Sequence, residues 1–285
     1  MSGKAEAAVD KVFVKEMLEA FGREALEAAI DTKWAGKHIC YFKELDSTNA
    51  RAKQEADNGA AEGTLVVTDM QTAGRGRRGR SWNSPAGVNL YFTLILKPVY
   101  QPDKAAMVTL VMALAVAERI SLTCGMEAEI KWPNDVVVNG KKVCGILTEM
   151  NVEHGQIQCV AVGVGVNVGL QEFPPEIADK AASLEAECGK PVSRAALAAN
   201  ILKAFEKYYE SFLQELSLSC IRDKYNRRLV NRDREVRVLD PQGEFQGIAR
   251  GINEFGELLV ERDDGSVTIV FAGEVSVRGI YGYTV

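Results

Sequence analysis

Apolar positions along the chain change period several times, and each change marks an element. Between residues 9 and 30, Val14, Met17, Leu18, Phe21 and Leu26 recur at helical spacing with Lys15, Glu19 and Glu24 between them, which predicts a helix. Residues 38–45 fit a strand. Asp46-Ser47-Thr48-Asn49 then offers several N-caps for a helix to about Ala56. Gly63 to Met70 reads as a second strand, and Val88 to Leu96 alternates with Val88, Leu90, Phe92, Leu94 and Leu96 on one face. A long apolar helix over about 103–121 follows, with Asp103 as its cap and Gly125 near its stop. Strands over 128–132 and 142–150 flank a loop that carries Asn139-Gly140, a strong signal for a two-residue hairpin turn. Gln156 to Val168 is a long strand, and Gly163 and Gly165 within it imply that something packs closely against the backbone there. Two helices are expected near 175–188 and 193–215.

Past about residue 230 the pattern shifts to short β runs cut by Pro241-Gln242-Gly243, Asn253-Glu254-Phe255-Gly256 and Asp263-Asp264-Gly265. Five short strands in that space predict a small β-barrel. The expected organisation is an N-terminal helical extension over 1–36, a domain over 37–225, and a β domain over 226–285.

Composition removes several function classes. A formal net charge of −5 leaves no basic surface for nonspecific nucleic-acid binding, so any cationic function must be local. The six cysteines form no Cys-x-x-Cys pair, which reads as reduced, mostly buried thiols. Only His38 and His154 are available, which argues against a His-based metal site or a Ser-His-Asp triad. No basic stretch leads into an apolar core at the start, and the apolar run from Ala105 to Ala117 is short and flanked by Lys104, Glu118 and Arg119. A cytoplasmic protein with no membrane association is expected.

The local cationic function sits in Gly74-Arg75-Gly76-Arg77-Arg78-Gly79-Arg80. Its glycines match G-x-G-x-x-G, but Ser81-Trp82-Asn83-Ser84-Pro85 follows and opens no helix, so the dinucleotide reading fails on context. No Walker-type phosphate loop is present either. Four guanidinium groups in seven residues repel one another until an anion joins them. The expectation is a loop with no regular element, mobile without ligand and ordered over an anionic one.

A second segment, Lys131-Trp132-Pro133-Asn134-Asp135, lies where a strand enters a loop. Asn134 and Asp135 serve as turn formers, and Lys131 with Asp135 reads equally as an ion pair or as part of a convergent polar site. In the next strand, alternation puts Lys142, Cys144 and Ile146 on one face and Val143, Gly145 and Leu147 on the other. A lysine on a half-buried strand is unusual unless paired, so Lys142 is a candidate anion ligand.

Together these segments resemble the biotin–protein ligase family. The arginine–glycine loop and its following strand stand as GRGRRGRSWNSPAGVNLYFTLILKP over 74–98, and the second motif as KWPNDVVVNGKKVCGILTEM over 131–150. Gly163-Val164-Gly165-Val166-Asn167 and Asp46-Ser47-Thr48-Asn49 match as well, in the family's order. The resemblance implies an α+β fold: a mixed sheet backed by helices, as in class II synthetase-like catalytic domains, then a small SH3-like β-barrel. It implies use of ATP and Mg2+ to make biotinyl-5'-AMP from biotin, and transfer of biotin to a lysine of a biotin carboxyl carrier domain. Homodimerisation is common in the family. A helix-turn-helix domain precedes the core in some members, but the segment before residue 38 shows no clear recognition helix, so DNA binding is not expected. Lipoate–protein ligases share the fold and the adenylate chemistry; the GRGRRG run with KWPND favours biotin.

Residue by residue, the resemblance places Ser47, Thr48 and Asn49 at the ureido ring of biotin. Gln71, Arg75, Gly76 and Arg77 become loop contacts to biotin and the adenylate, and Lys142 holds the carboxylate or the mixed anhydride. Arg80, Trp82 and Asn167 enclose the nucleotide, while Lys131 and Asp135 complete the catalytic set with Arg75, Arg77 and Lys142. No metal ligands are assigned. The adenylation step brings two anions together, so it needs charge neutralisation and alignment rather than a covalent nucleophile. The transfer step needs a neutral lysine amine, for which Asp135 is the expected aid. A loop that closes over a reactive acyl-adenylate also shields it from water. Protease cleavage near Arg77 is therefore expected to be suppressed by biotin together with ATP in a limited-proteolysis time course, and unchanged cleavage contradicts the lid.

Overall fold

The computed structural model describes residues 21–240, 243–272 and 276–279. Its first described helix, α1 (Arg23–Ala29), is the end of the helix expected over 9–30; residues 9–20 lie outside the described residues. The chain then runs β1 (His38–Leu45), α2 (Thr48–Asp57), β2 (Thr64–Gln71), β3 (Leu90–Leu96), α3 (Ala105–Cys124), β4 (Ala128–Lys131), β5 (Asp135–Val138), β6 (Lys141–Glu153) and β7 (Gln156–Val166). Three helices follow, α4 (Leu184–Cys188), α5 (Arg194–Glu215) and α6 (Ser219–Arg228). The last strands are β8 (Arg234–Leu239), β9 (Phe245–Ile252), β10 (Leu258–Glu261), β11 (Val267–Val270) and β12 (Ser276–Gly279).

The first seven strands form one mixed sheet in the order β1-β2-β3-β7-β6-β5-β4, with β1 and β2 parallel and the other pairs antiparallel. β3 sits between β2 and β7 and is buried at every position, so both of its faces are covered. Leu90, Phe92, Leu94 and Leu96 join the main core with α3 and α5. On the opposite face, Ile95 packs with Val66, Cys159 and Ala161 against Ala52 and Ala56 of α2. That opposite face is the one that carries the site.

α3 is long and apolar enough to cross a membrane by length and composition, but it is packed inside the core against the sheet and α5. It runs past Glu118 and Arg119, where the apolar run ends, because those side chains pair with each other at 2.6 Å and Tyr208 on α5 hydrogen-bonds Glu118. Gly125, at φ 71°, closes it as a left-handed cap. Asp103 is not its cap; it lies in a preceding 3-10 turn over Pro102–Lys104.

Three further expectations are corrected. The loop after β4 contains a strand, β5, that starts at Asp135. It pairs with β6 across a turn in which Asn139 (φ 49°) and Gly140 (φ 76°) both take the positive φ of a type I′ hairpin. The helix expected over 175–188 exists only as α4. The segment before it is strapped to β6 instead, with Lys142 N–H donating to Lys180 C=O (2.7 Å) and Ala182 N–H to Lys142 C=O (3.0 Å). Finally, the strands after residue 230 form an antiparallel sheet whose order, β11-β10-β9-β8-β12, is open among the described residues rather than closed into a barrel.

This second sheet is seated on the first. The buried indole of Trp132, just past β4, donates to Gly256 C=O at 3.0 Å, and Leu218 N–H donates to Glu254 C=O at 2.7 Å. Trp132→Phe keeps the apolar ring and leaves the Gly256 carbonyl unpaired. It is expected to cost about 1–3 kcal/mol, seen as a lower midpoint in thermal or urea unfolding.

Candidate active site

Two rows of paired residues across the middle of the sheet create the site. In the first, Thr93 on β3 pairs with Gly163 on β7, and Gly163 with Leu147 on β6. In the second, Tyr91 pairs with Gly165, and Gly165 with Gly145. The glycines leave bare backbone, and side chains from elsewhere fill the space. A Cβ on Gly163 would lie 2.1 Å from Asn49 Oδ1, and one on Gly165 would lie 2.7 Å from Trp82 Nε1. The close packing that Gly163 and Gly165 imply in the sequence is thus supplied by Asn49 and Trp82.

Asn49 is buried and its amide is fully engaged. Nδ2 donates to Leu147 C=O (3.1 Å) and to a Glu149 carboxylate oxygen (2.8 Å), while Oδ1 lies 2.7 Å from the Thr93 hydroxyl. Lys53 donates to the other Glu149 oxygen at 3.0 Å. Burial by itself raises the Glu149 carboxyl, but the hydrogen bonds from Asn49 and Lys53 and the Lys53 charge outweigh it and hold the group below its ordinary value. Thr48 N–H donates to Gln71 Oε1 at 3.0 Å, and Gln71 Nε2 donates to Ser84 Oγ at 2.9 Å.

The Arg–Gly segment expected to lack regular structure is a tight hairpin. Arg75 bridges Ser81, Gly76 N–H donates to Arg80 C=O (2.7 Å), and Trp82 N–H donates to Gly74 C=O (2.9 Å). Its tip uses two positive-φ residues, Arg78 (φ 58°) and Gly79 (φ 70°). Arg77 pins it from two sides, donating to Asn134 Oδ1 at 2.9 Å and to Ala272 C=O at 2.8 Å, just past β11. Burial pulls the Arg77 guanidinium down from its ordinary value; the Asp135 charge opposes this, and Arg78 and Arg80 add to it. The hairpin brings its arginines to the joint between the two sheets.

Lys142 is displaced from the face that simple alternation assigns it. A bulge in the β5–β6 register pairs Val136 with Cys144 and Val137 with Lys142, skipping Val143. Val143 and Cys144 are both buried, and Lys142 comes to the side of Gly145, where a Cβ would lie 3.2 Å from Lys142 Nζ. Its ammonium is 2.7 Å from Asp135 Oδ1 and 5.1 Å from the Trp82 ring centroid. Lys131, buried, is the cross-strand neighbour of Asp135.

These groups line a cavity of two lobes. The small lobe, about 50 Å3, is lined by Ser47, Thr48, Asn49, Gln71, Arg75 and the glycine rows. The large lobe, about 710 Å3, takes in Arg80, Lys131, Asp135, Asn167 and the 176–181 strap. Gly76, Arg77, Trp82, Asn134 and Lys142 line both, so they form the joint. All the candidate residues named from the sequence thus converge on one cavity. Asn167 also ties the large lobe together, donating from Nδ2 to Ala182 C=O at 3.1 Å. Thr93, Glu149, Lys53 and Ala272 were invisible in the sequence, since each meets its partner across 44 or more residues.

Gly163→Ala is expected to force Asn49 off the sheet. It should destabilise the fold by about 1–3 kcal/mol and lower activity about tenfold or more through misplacement of the small lobe. Thermal unfolding and turnover measured on one preparation check both.

Chemically, a small pocket with polar side chains meets a wide cleft at a cationic joint, an arrangement suited to joining two anionic reactants end to end. The comparisons with known proteins agree. Residues 41–167 match the biotin/lipoate A/B protein ligase family, and residues 233–278 match the biotin protein ligase C-terminal domain. The chain is 39% identical over 238 residues to a bifunctional ligase/repressor BirA of Bacillus subtilis, covering 83% of this chain and 73% of that one. It is 35% identical to a biotin–[acetyl-CoA-carboxylase] ligase of Paracoccus denitrificans, covering 82% of this chain and 98% of that one. Among solved structures it resembles the Aquifex aeolicus biotin protein ligase in complex with biotin and ATP, with a TM-score of 0.75 and 32% identity over 85% of this chain and 99% of that one.

Proposed function

The chain belongs to the biotin protein ligases, and we propose that its two-lobed cavity divides that family's chemistry between a biotin lobe and a nucleotide lobe. The enzyme is an ATP-dependent ligase that forms biotinyl-5'-AMP and passes biotin to a carrier lysine. The single observation that carries the division is the shared joint of Arg77, Trp82 and Lys142.

Biotin enters the small lobe with its ring at Ser47, Thr48 and the glycine rows, and its valerate chain points toward the joint. Its carboxylate meets Lys142 and Arg77 there. ATP lies in the large lobe with its α-phosphate at the same joint, bordered by Arg80, Trp82 and Asn167. Carboxylate attack on the α-phosphorus then joins two anions in a place where fixed cations neutralise both. Pyrophosphate leaves through the open side of the large lobe. Arg75 and Gly76 cover the small lobe during the step, and Gln71 holds Thr48 in position.

Mg2+ belongs to this proposal as the companion of ATP. It coordinates chiefly phosphate oxygens and water, and needs one or two protein carboxylates at most. The chain suits that mode: its described residues contain no cluster of three or more His, Cys, Asp or Glu that could hold an ion by themselves, while Glu176 and Asp179 line the large lobe. Those carboxylates would be its protein ligands, and the ion would neutralise charge on the phosphates.

In the second step a carrier lysine attacks the carbonyl of the adenylate. The partner is a biotin carboxyl carrier domain of a carboxylase, in the cytoplasm. Asp135 is placed for two tasks there. It anchors the Lys142 ammonium, and it would accept a proton from the attacking amine once Lys142 turns to the ligand. Lys131 sits beside it as its cross-strand neighbour on the hairpin.

Purified protein incubated with ATP, Mg2+ and either biotin or lipoate tests the reading through pyrophosphate release and the mass of the adenylate. Biotinyl-adenylate is expected; lipoyl-adenylate would keep the chemistry and overturn the substrate. Asp135→Asn should then spare adenylate formation and slow transfer to a carrier domain by about 100-fold or more, the range of a lost general base. Equal loss of both steps would leave Asp135 with only its Lys142-anchoring role.

A further inference from the structure

The deepest part of the small lobe carries a hydrogen-bond relay whose direction is fixed from outside the cavity. Asn49 Nδ2 faces Leu147 C=O and the Glu149 carboxylate, at 3.1 and 2.8 Å. Both are acceptors only, so the amide nitrogen must be the atom that points at them and Oδ1 must point the other way. There it lies 2.7 Å from the hydroxyl of Thr93, which is also 2.9 Å from the hydroxyl of Thr48. A hydroxyl has one proton. Asn49 Oδ1 has none to give, so Thr93 donates to Asn49 and its oxygen accepts at Thr48.

Thr48 therefore spends its own proton inside the protein, either on Thr93 Oγ1 or on Gln71 Oε1 at 3.3 Å. What its hydroxyl shows to the cavity is lone pairs. Gln71 cannot reverse this, because Oε1 accepts from Thr48 N–H at 3.0 Å while Nε2 donates to Ser84 Oγ, which donates in turn to Trp82 C=O at 3.0 Å.

Thr93 is fully buried and is not among the residues that line the cavity. We propose that Thr93 is a positioning and specificity-determining residue: with Glu149 and Asn49 behind it, it holds Thr48 as an acceptor aimed into the small lobe, so the pocket selects a ring that presents an N–H donor. This rests on biotin being the acid bound there. A ureido ring has such a donor and a dithiolane ring does not. The glycine at 163, cross-strand neighbour of Thr93, is what lets Asn49 lie flat enough to complete the relay.

Thr93→Val and Thr93→Ser test it. Valine keeps the branched shape and removes the hydroxyl, leaving Asn49 Oδ1 without its donor and Thr48 free to turn. The readouts are KM for biotin, KM for ATP and kcat of biotin-dependent pyrophosphate release by the full chain, with thermal unfolding as the fold control. Thr93→Val is expected to raise KM for biotin about 10- to 100-fold, the range for a binding site that loses an aligned hydrogen bond. KM for ATP and kcat at saturating biotin should stay within about threefold, and Thr93→Ser should return KM for biotin to near wild type. An unchanged biotin KM in Thr93→Val overturns the relay. So does a parallel loss in both KM values and kcat, or a failure of serine to rescue, since each marks a packing role. If Thr93→Val does not fold, a Thr93→Ser enzyme with impaired biotin KM still overturns it. A wild-type protein that forms no biotinyl-adenylate refutes the proposed function itself, and the relay falls with it.

Discussion

Everything in the site depends on the middle of the sheet having no side chains where it needs to be approached. Gly145, Gly163 and Gly165 occupy adjoining positions on β6 and β7, and Asn49 and Trp82 lie directly on that bare backbone. A methyl group at either β7 glycine would overlap a side-chain atom of the site, so the small lobe and the joint exist only because these positions are empty. Glycine normally weakens a strand by its backbone entropy. Here the strand is long and central, paired with β3 on one side and β6 on the other, and it tolerates two glycines where an edge strand would not. The stability that β3 gains from burial on both faces is what allows β7 to give up side chains for function.

On that platform the charges are arranged around one problem, the approach of two anions. Lys142 and Arg77 are held at the joint by partners that an anion can replace. Lys142 is paired with Asp135 at a distance of 2.7 Å, and Arg77 donates to Asn134 Oδ1 and to the Ala272 carbonyl. The Asp135 charge acts on both cations: it pairs with Lys142 and opposes the burial that pulls the Arg77 guanidinium down. Because Ala272 lies just past β11, its bond to Arg77 ties the arginine–glycine hairpin to the C-terminal strands.

The sequence showed the outline of this arrangement because its signals are local. The Asn139-Gly140 turn, the helix over Arg194–Glu215, the glycines of β7 and the arginine–glycine motif each announce themselves within a few residues. What it hid depends on pairing. The bulge that moves Lys142 beside Gly145 is a property of β5 and β6 together, and alternation along β6 alone assigns the wrong face. The 175–183 segment has helical composition but forms backbone bonds to Lys142 instead. Thr93 looks like any β-branched residue of a central strand, and its hydroxyl gains meaning only when α2 brings Thr48 and Asn49 against it. Arg77's contact with Ala272 spans 195 residues and carries no sequence signature.

The ligand-free joint also has a cost that bears on how the site opens. The indole Nε1 of Trp82 is buried with no hydrogen-bond partner, over the backbone of Gly165 and beneath the Lys142 ammonium. A buried unpaired donor costs about 1–3 kcal/mol relative to one that is satisfied. Arg78 at the hairpin tip adds strain of about 1–2 kcal/mol by holding a non-glycine residue at positive φ. Neither penalty is large beside the backbone bonds of the hairpin, so the loop stays folded. Both are removable: swinging the indole out of the joint lets Nε1 meet water or a ligand acceptor and enlarges the small lobe at the same time. Because Trp82 lines both lobes, the placement of this one indole shapes the small pocket and the wide cleft together.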